Sequence, residues 1–159
     1  MQGFSPGLFD RLADDDEHAA PSRRRTPGAE AEACRQSITR DLIALLNTRS
    51  NLSARSLAPF SAVSASVINY GLIDFAGMCM TSDTDQQKIC TAVCLAIERH
   101  EPRLHKIEVT LSPKSGAINR VEFMITAELK SGALANTMSF NAVFRPSLQQ
   151  YSIDGHAHG

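Results

Sequence analysis

Apolar residues recur along this chain with two periods, and the change from one to the other divides it. Ile38, Leu42, Leu45 and Leu46 form a stripe at helical spacing that ends near Asn47, with Arg40 and Asp41 placed off it. Ile89, Ala92, Val93, Ala96 and Ile97 recur at i, i+3, i+4, i+7 and i+8 and predict a second helix. Thr84 and Gln87, in capping-box spacing, open that helix, which runs to about Glu98. Past residue 103 the period drops to two. Ile107, Val109 and Leu111 alternate with Glu108 and Thr110, predicting a strand over 104–112. Val121, Phe123, Ile125, Ala127 and Leu129 alternate with polar neighbours and Met124 in a second strand. Met138, Phe140, Ala142 and Phe144 share a face of a third, over 137–145. Tyr151 and Ile153 suit a short fourth.

Turn signals separate the strands: Ser112-Pro113-Lys114-Ser115-Gly116, then Ser131-Gly132. Pro146 stops the third strand or leaves it at an edge. Short connections between successive strands favour an antiparallel meander with helices over its apolar face. The expected fold class is α+β, an antiparallel three- to four-stranded sheet packed against two main helices. Residues 48–64, rich in Ser, Asn and Pro, read as a loop. Ser66 to Gly71 reads as a short turn or strand ending at glycine, and Leu72, Ile73 and Phe75 as buried anchors.

Between the second helix and the first strand stands Glu101-Pro102-Arg103. Pro102 pushes Glu101 out of the α region and cannot continue the helix. In an extended segment residues i and i+2 point the same way, so Glu101 and Arg103 are expected side by side at a rigid corner. Such a pair either anchors a partner or closes its own domain. On the first reading, charge reversal at Arg103 breaks assembly and leaves the domain folded.

The segment before Glu30 has a different character. Ser5-Pro6 is a fair helix start, and Phe4, Leu8, Phe9 and Leu12 give a short apolar stripe. Asp14-Asp15-Asp16-Glu17 and Arg23-Arg24-Arg25 follow, with almost no large apolar residues between them. This reads as a solvated linker, or as the tether of a peptide that docks on a partner. The expected division is 1–29 as short helix and linker, 30–154 as the folded domain, and 155–159 as a disordered tail.

Sixteen Lys and Arg against 17 Asp and Glu give a formal charge of −1 over 159 residues, which excludes a dominant nucleic-acid footprint. No uncharged apolar run approaches the roughly 18 residues of a membrane span, and the start lacks the basic-then-apolar pattern of a signal peptide. A cytoplasmic address follows. The four cysteines, Cys34, Cys79, Cys90 and Cys94, lack zinc-site pairing and are expected as buried reduced thiols. His156 and His158 fall in the tail. No metal or cofactor is expected.

Neither GxxxxGK[ST], GxGxxG nor GxSxG occurs. Glu98 and Glu101 are the acids placed together at an element junction, and Arg99 and Arg103 beside them are poor company for a proton-donating acid.

Four motifs in order carry a resemblance: Leu8-Phe9-Asp10-Arg11-Leu12, Leu45-Leu46-Asn47-Thr48-Arg49, Asn69-Tyr70-Gly71-Leu72 with Asp74-Phe75, and Glu101-Pro102-Arg103-Leu104. From Phe4 to about Tyr151 the chain resembles the TssE family, small baseplate subunits of the bacterial type VI secretion system. It is also similar to the gene-twenty-five-like wedge proteins of contractile phage tails. Two positions depart from the pattern. His100 stands where the family often has an aromatic residue, which lets the corner respond to pH. Leu72-Ile73-Asp74 stands where Leu-Pro-Asp is common.

The resemblance implies a structural, non-enzymatic wedge subunit that links the baseplate to the contractile sheath and helps initiate sheath assembly. It implies as partners the wedge subunits TssF, TssG and TssK and the sheath subunits TssB and TssC, in a cytoplasmic, membrane-docked assembly without direct membrane insertion. Glu101, Pro102, Arg103, Phe4, Leu8, Phe9 and Leu12 are the expected partner-binding residues. A lysozyme-like label on the family raises a peptidoglycan hydrolase as a rival, and a regulatory anti-adaptor-like binder is another.

Overall fold

The computed structural model describes residues 27–50, 52, 54–64, 66–75, 77–79, 82–112, 120–130 and 137–154. Phe4, Leu8, Phe9 and Leu12, the charged linker, the turn signals at 113–116 and 131–132, and His156 and His158 lie outside these residues. Helix α1 spans Pro27–Asn47, a little ahead of the expected start at Glu30; proline suits a first helical position. Its stripe of Ile38, Leu42, Leu45 and Leu46 is buried. Asp41, expected off that stripe, is buried as well, because it lies one turn from Ile38 and Leu45 on the same face.

The expected loop 48–64 contains two single-turn helices, α2 (Ala54–Leu57) and α3 (Ser61–Ser64), followed by a 3₁₀ turn at Val67–Asn69. Elements this short display no period, so the sequence pattern missed them. Gly71 then turns the chain with φ of +112°, and a Cβ there would sit 2.5 Å from the Thr48 carbonyl oxygen. That close approach lets Leu72 N–H donate to Thr48 O (2.9 Å) and Ser50 N–H donate to Leu72 O (2.8 Å), a parallel bridge between Arg49 and Leu72. Leu72 and Phe75 are buried as expected, but Ile73 is 42% exposed. Neighbours in extended backbone face opposite ways, so Leu72 pointing inward turns Ile73 outward.

Helix α4 covers Asp83–His100 and buries Ile89, Val93, Ala96 and Ile97. The expected capping box does not form, since Thr84 already lies inside the helix; Ser82 is the N-cap and makes no side-chain cap bond. Asp85 ties this end instead, accepting from Cys79 N–H at 3.0 Å and from Lys88 Nζ at 3.1 Å. Asp83 and Asp85 also complement the helix dipole in the first turn. None of the described helices is long and apolar enough to cross a membrane.

Strands β1 (Leu104–Ser112), β2 (Val121–Leu129), β3 (Thr137–Arg145) and β4 (Gln150–Asp154) form one antiparallel meander in the order β1-β2-β3-β4. The α+β expectation with two main helices holds, with all four strands present. Register lines up apolar rows across the sheet: Leu111, Phe123, Ala142 and Ile153; Val109, Ile125 and Phe140; Val121, Phe144 and Tyr151. α1 leans on β4 and α4 on β1, closing the core between them. Pro146 ends β3, which lies inside the sheet, so the edge alternative is excluded. In β1, Lys106 and Ile107 oppose Ala127 alone, a bulge with Lys106 at φ 49°.

Neither edge of the sheet is bare. The Asn47 amide accepts from Tyr151 N–H (2.9 Å) and donates to Tyr151 O (3.0 Å), standing in for a neighbouring strand at β4. At β1 the Cys94 thiol donates to Ile107 O at 3.4 Å, and the Cys90 thiol is bonded to the Leu111 backbone. The four cysteines are free. They are not the fully buried thiols expected: Cys79 is exposed and the other three are half-buried, with burial pushing the Cys34, Cys90 and Cys94 thiols up.

Gly71→Ala is expected to destabilise the domain by more than about 1 kcal/mol, because both the positive φ and the Thr48 carbonyl oppose a side chain. Chemical unfolding of the variant against wild type checks this; an unchanged midpoint contradicts it.

Candidate functional site, a buried arginine corner

Pro102 ends α4, and Glu101 N–H makes the last helical bond, to Ile97 O at 2.8 Å. The chain then makes a turn, closed by Leu104 N–H donating to Glu101 O at 3.2 Å, with proline in its favoured second position. Glu101 and Arg103 do stand side by side. A turn brings them together, in place of the extended geometry expected.

Four of the five N–H donors of the Arg103 guanidinium are taken by its own chain. Nε donates to Glu101 Oε1 (2.7 Å) and Nη2 to Glu101 Oε2 (2.6 Å), a bidentate fork. Nη1 donates to Ser37 Oγ (2.9 Å), and Nη2 also to Asp41 Oδ2 (2.6 Å). The backbone N–H of Arg103 adds a bond to Glu101 Oε1 at 3.2 Å. The side chains of Arg103, Glu101 and Asp41 are 9%, 4% and 10% exposed. Of the two roles open to the pair, closing its own domain is therefore the one the isolated chain realises. Pro102 stands exposed at the tip.

Burial governs the charges around this corner. It pushes the Asp41 carboxyl up, with Arg103 only partly offsetting it, and Asp41 Oδ1 is buried without a partner among the described residues. Burial, Asp41 and Glu101 together push the Tyr70 phenol to about 12. The His100 ring meets Tyr70 edge-on at 5.2 Å between centroids, and its Nε2 lies 3.1 Å from Asn69 O. Desolvation lowers the His100 pKa, so the neutral ring with Nε2 as donor is favoured. Asn69 is buried, donating to Ser64 O (2.9 Å) and accepting from Ser50 Oγ (3.0 Å).

Three of the four motifs thus meet in space: Asn47-Thr48-Arg49, Asn69 to Leu72, and the Glu101–Arg103 corner. Two members of the site carried no sequence signal, Ser37 and Asp41, since a polar residue on a helix looks solvated until the tertiary partner is known. Also missed are Phe60, Val67 and Ile68, 60%, 74% and 65% exposed on the segment leading into Asn69.

Residues 32–133, well over half of the chain, match the model of a family described as baseplate wedge protein gp25. The chain belongs to the baseplate wedge protein gp25 family. A solved structure of "the baseplate complex from the type VI secretion system" contains a chain similar to this one, with a TM-score of 0.46 and 17% identity over 72% of this chain and 96% of that one. No curated protein matches the chain.

The geometry reverses one expectation. Arg103→Glu would bury a third carboxylate against Glu101 and Asp41, so the domain is expected to lose much of its stability. Breaking a buried pair costs about 3–5 kcal/mol, and a loss of that size is expected, with Arg103→Lys intermediate because one ammonium cannot reproduce the fork. Equilibrium unfolding of both variants checks the order.

His100 gives a pH dependence of defined sign. Its folded pKa is lowered, so its contribution is present above the unfolded value of about 6.5 and is lost as pH falls through the folded one. Asp41, whose folded pKa is raised, works in the opposite sense, its contribution being lost as pH rises. Wild type is therefore expected to lose more stability than His100→Phe when the pH drops from about 7.5 to 5.5, and paired thermal melts isolate the His100 part.

Proposed function

We infer that this chain is the small wedge subunit of a type VI secretion baseplate, acting as a structural joint with no catalysis of its own. Its role is to link the baseplate to the first ring of the contractile sheath and to help start sheath assembly. The observation that carries the reading is the family match, which spans the helix stripe, the Gly71 bridge and the Glu101–Arg103 corner. The corner is stiff because three acceptors hold one guanidinium, and a stiff corner loses little freedom on docking. Pro102 at its tip, with Glu101 and Arg103 fixing its angle, is the proposed contact. Phe4, Leu8, Phe9 and Leu12 are the proposed second contact with a neighbour.

The proposed partners are TssF, TssG and TssK of the wedge and TssB and TssC of the sheath, in a cytoplasmic, membrane-docked assembly. Strand addition to the sheet is restricted here, since Asn47 and the α4 thiols already engage parts of both edges. Glu101 gives a hydrolase no support, because both its oxygens are held by Arg103.

Co-expression with TssF, TssG and TssK, followed by size exclusion, tests the reading. Co-elution is expected. Removal of residues 1–25 is expected to weaken it while leaving the melting temperature unchanged, because the charged linker cannot build a core. A chain that elutes alone, or that cleaves purified peptidoglycan, overturns the proposal.

A further inference from the structure

The connection between α1 and α4 carries exposed apolar side chains on a stretch without charge. Residues 56–73 contain no Asp, Glu, Lys, Arg or His, although 21% of the whole chain is Asp, Glu, Lys or Arg, so this surface differs in kind from the rest. Phe60, Val67 and Ile68 stand exposed within it, with the small Ala58 and Ala62, also exposed, on either side of Phe60 in sequence. The polar groups beneath are occupied. Ser64 Oγ donates to Ser61 O (2.7 Å), and the Asn69 amide donates to Ser64 O (2.9 Å). Ser66 Oγ donates to Val63 O (2.8 Å) and accepts from Ile68 N–H (3.3 Å). The backbone is engaged in the same way: the N–H groups of Phe60, Val63, Ser64, Ser66, Asn69 and Tyr70 all donate to carbonyls of the same segment, at 2.8–3.1 Å. His100 Nε2, 3.1 Å from Asn69 O, ties the segment to the end of α4 beside Pro102.

These features select the occupant. A strand cannot add here, since the segment has no free row of N–H groups for a ladder. A charged side chain pressed against it would lose its water and meet no counter-charge from residues 56–73. Hydrogen-bonding side chains gain little, because Ser64, Ser66 and Asn69 already have partners. An α-helix satisfies its own backbone and, through an apolar stripe, asks only for apolar contact. Ala58 and Ala62 leave room for it to approach. The backbone under Phe60, Val67 and Ile68 is already bonded, so docking freezes little beyond their rotamers.

We propose that Phe60, Val67 and Ile68 form a docking platform for an amphipathic helix of a neighbouring subunit, one whose apolar stripe is flanked by uncharged residues. The assignment rests on reading the chain as an assembly subunit. It adds to the Pro102 contact a surface that selects by the absence of charge.

Full-length ¹⁵N-labelled protein titrated with two short amidated helical peptides tests it. Both carry the same leucine stripe and the same lysines on the opposite face. The positions flanking the stripe are Gln in one and Glu in the other. The Gln peptide is expected to shift the amides of Phe60, Val67 and Ile68, with a dissociation constant on the order of 1 mM. The Glu peptide is expected to bind roughly tenfold more weakly, and Val67→Asp to weaken the Gln peptide by a similar factor. Val67 is 74% exposed, so that variant is expected to fold, as its melting curve checks; if it unfolds, the two peptides on wild type still decide. Equal responses to both peptides, or none at these amides, overturn the platform. Shifts caused by phosphatidylcholine vesicles and by neither peptide overturn it too, in favour of a lipid surface. No baseplate partner enters the measurement, so its failure is distinct from failure to co-elute.

Discussion

Everything near the corner depends on one arginine satisfying acceptors from two parts of the chain. Glu101 lies two residues away, whereas Ser37 and Asp41 come from α1, 66 and 62 residues distant in sequence. The fork therefore has a local half and a long-range half. The local half shapes the turn, and the long-range half fastens α1 to the junction of α4 and β1. Replacing such a network by apolar residues is often neutral or even stabilising, so its net contribution to stability is not the reason to expect it. Its distinguishing property is direction: a planar guanidinium with three acceptors has one orientation, and the backbone at Pro102 inherits it.

The remaining loop contacts extend that orientation outward. His100 reaches Asn69, Asn69 reaches Ser50, and the Gly71 approach locks Leu72 onto Thr48 and Ser50. A segment that in sequence resembles an irregular connection is in fact pinned at each of these positions. The exposed side chains Phe60, Val67 and Ile68 ride on it. This surface is thus held by polar bonds underneath and is apolar on top.

Elements with a sustained period were legible in the sequence, and β1 and β3 fall within the limits read from alternation. The rest failed for identifiable reasons. Single-turn helices at Ala54–Leu57 and Ser61–Ser64 are shorter than a period. Thr84 and Gln87 had the right spacing, but Asp85 reached a backbone donor first. Asp41 reads as lying off the apolar stripe because charge on a helix usually does, and only Arg103 makes its burial tolerable. The corner itself was legible as a junction, while its partners were not, since nothing local points from residue 103 to residues 37 and 41. Arg49 sits in a legible motif, yet its bond to Gln149 O reaches 100 residues along the chain.

Asn47 also bears on how the sheet margin meets other chains. A short strand at the margin of a sheet is a template on which identical copies can stack. Asn47 turns its carboxamide into a mock peptide bond against Tyr151, so at that position an approaching copy meets a side chain already in register. The same amide also bonds Ile43 O one turn back, which fixes its pose. A single amide at the end of α1 thus supplies part of the restraint against edge-to-edge stacking.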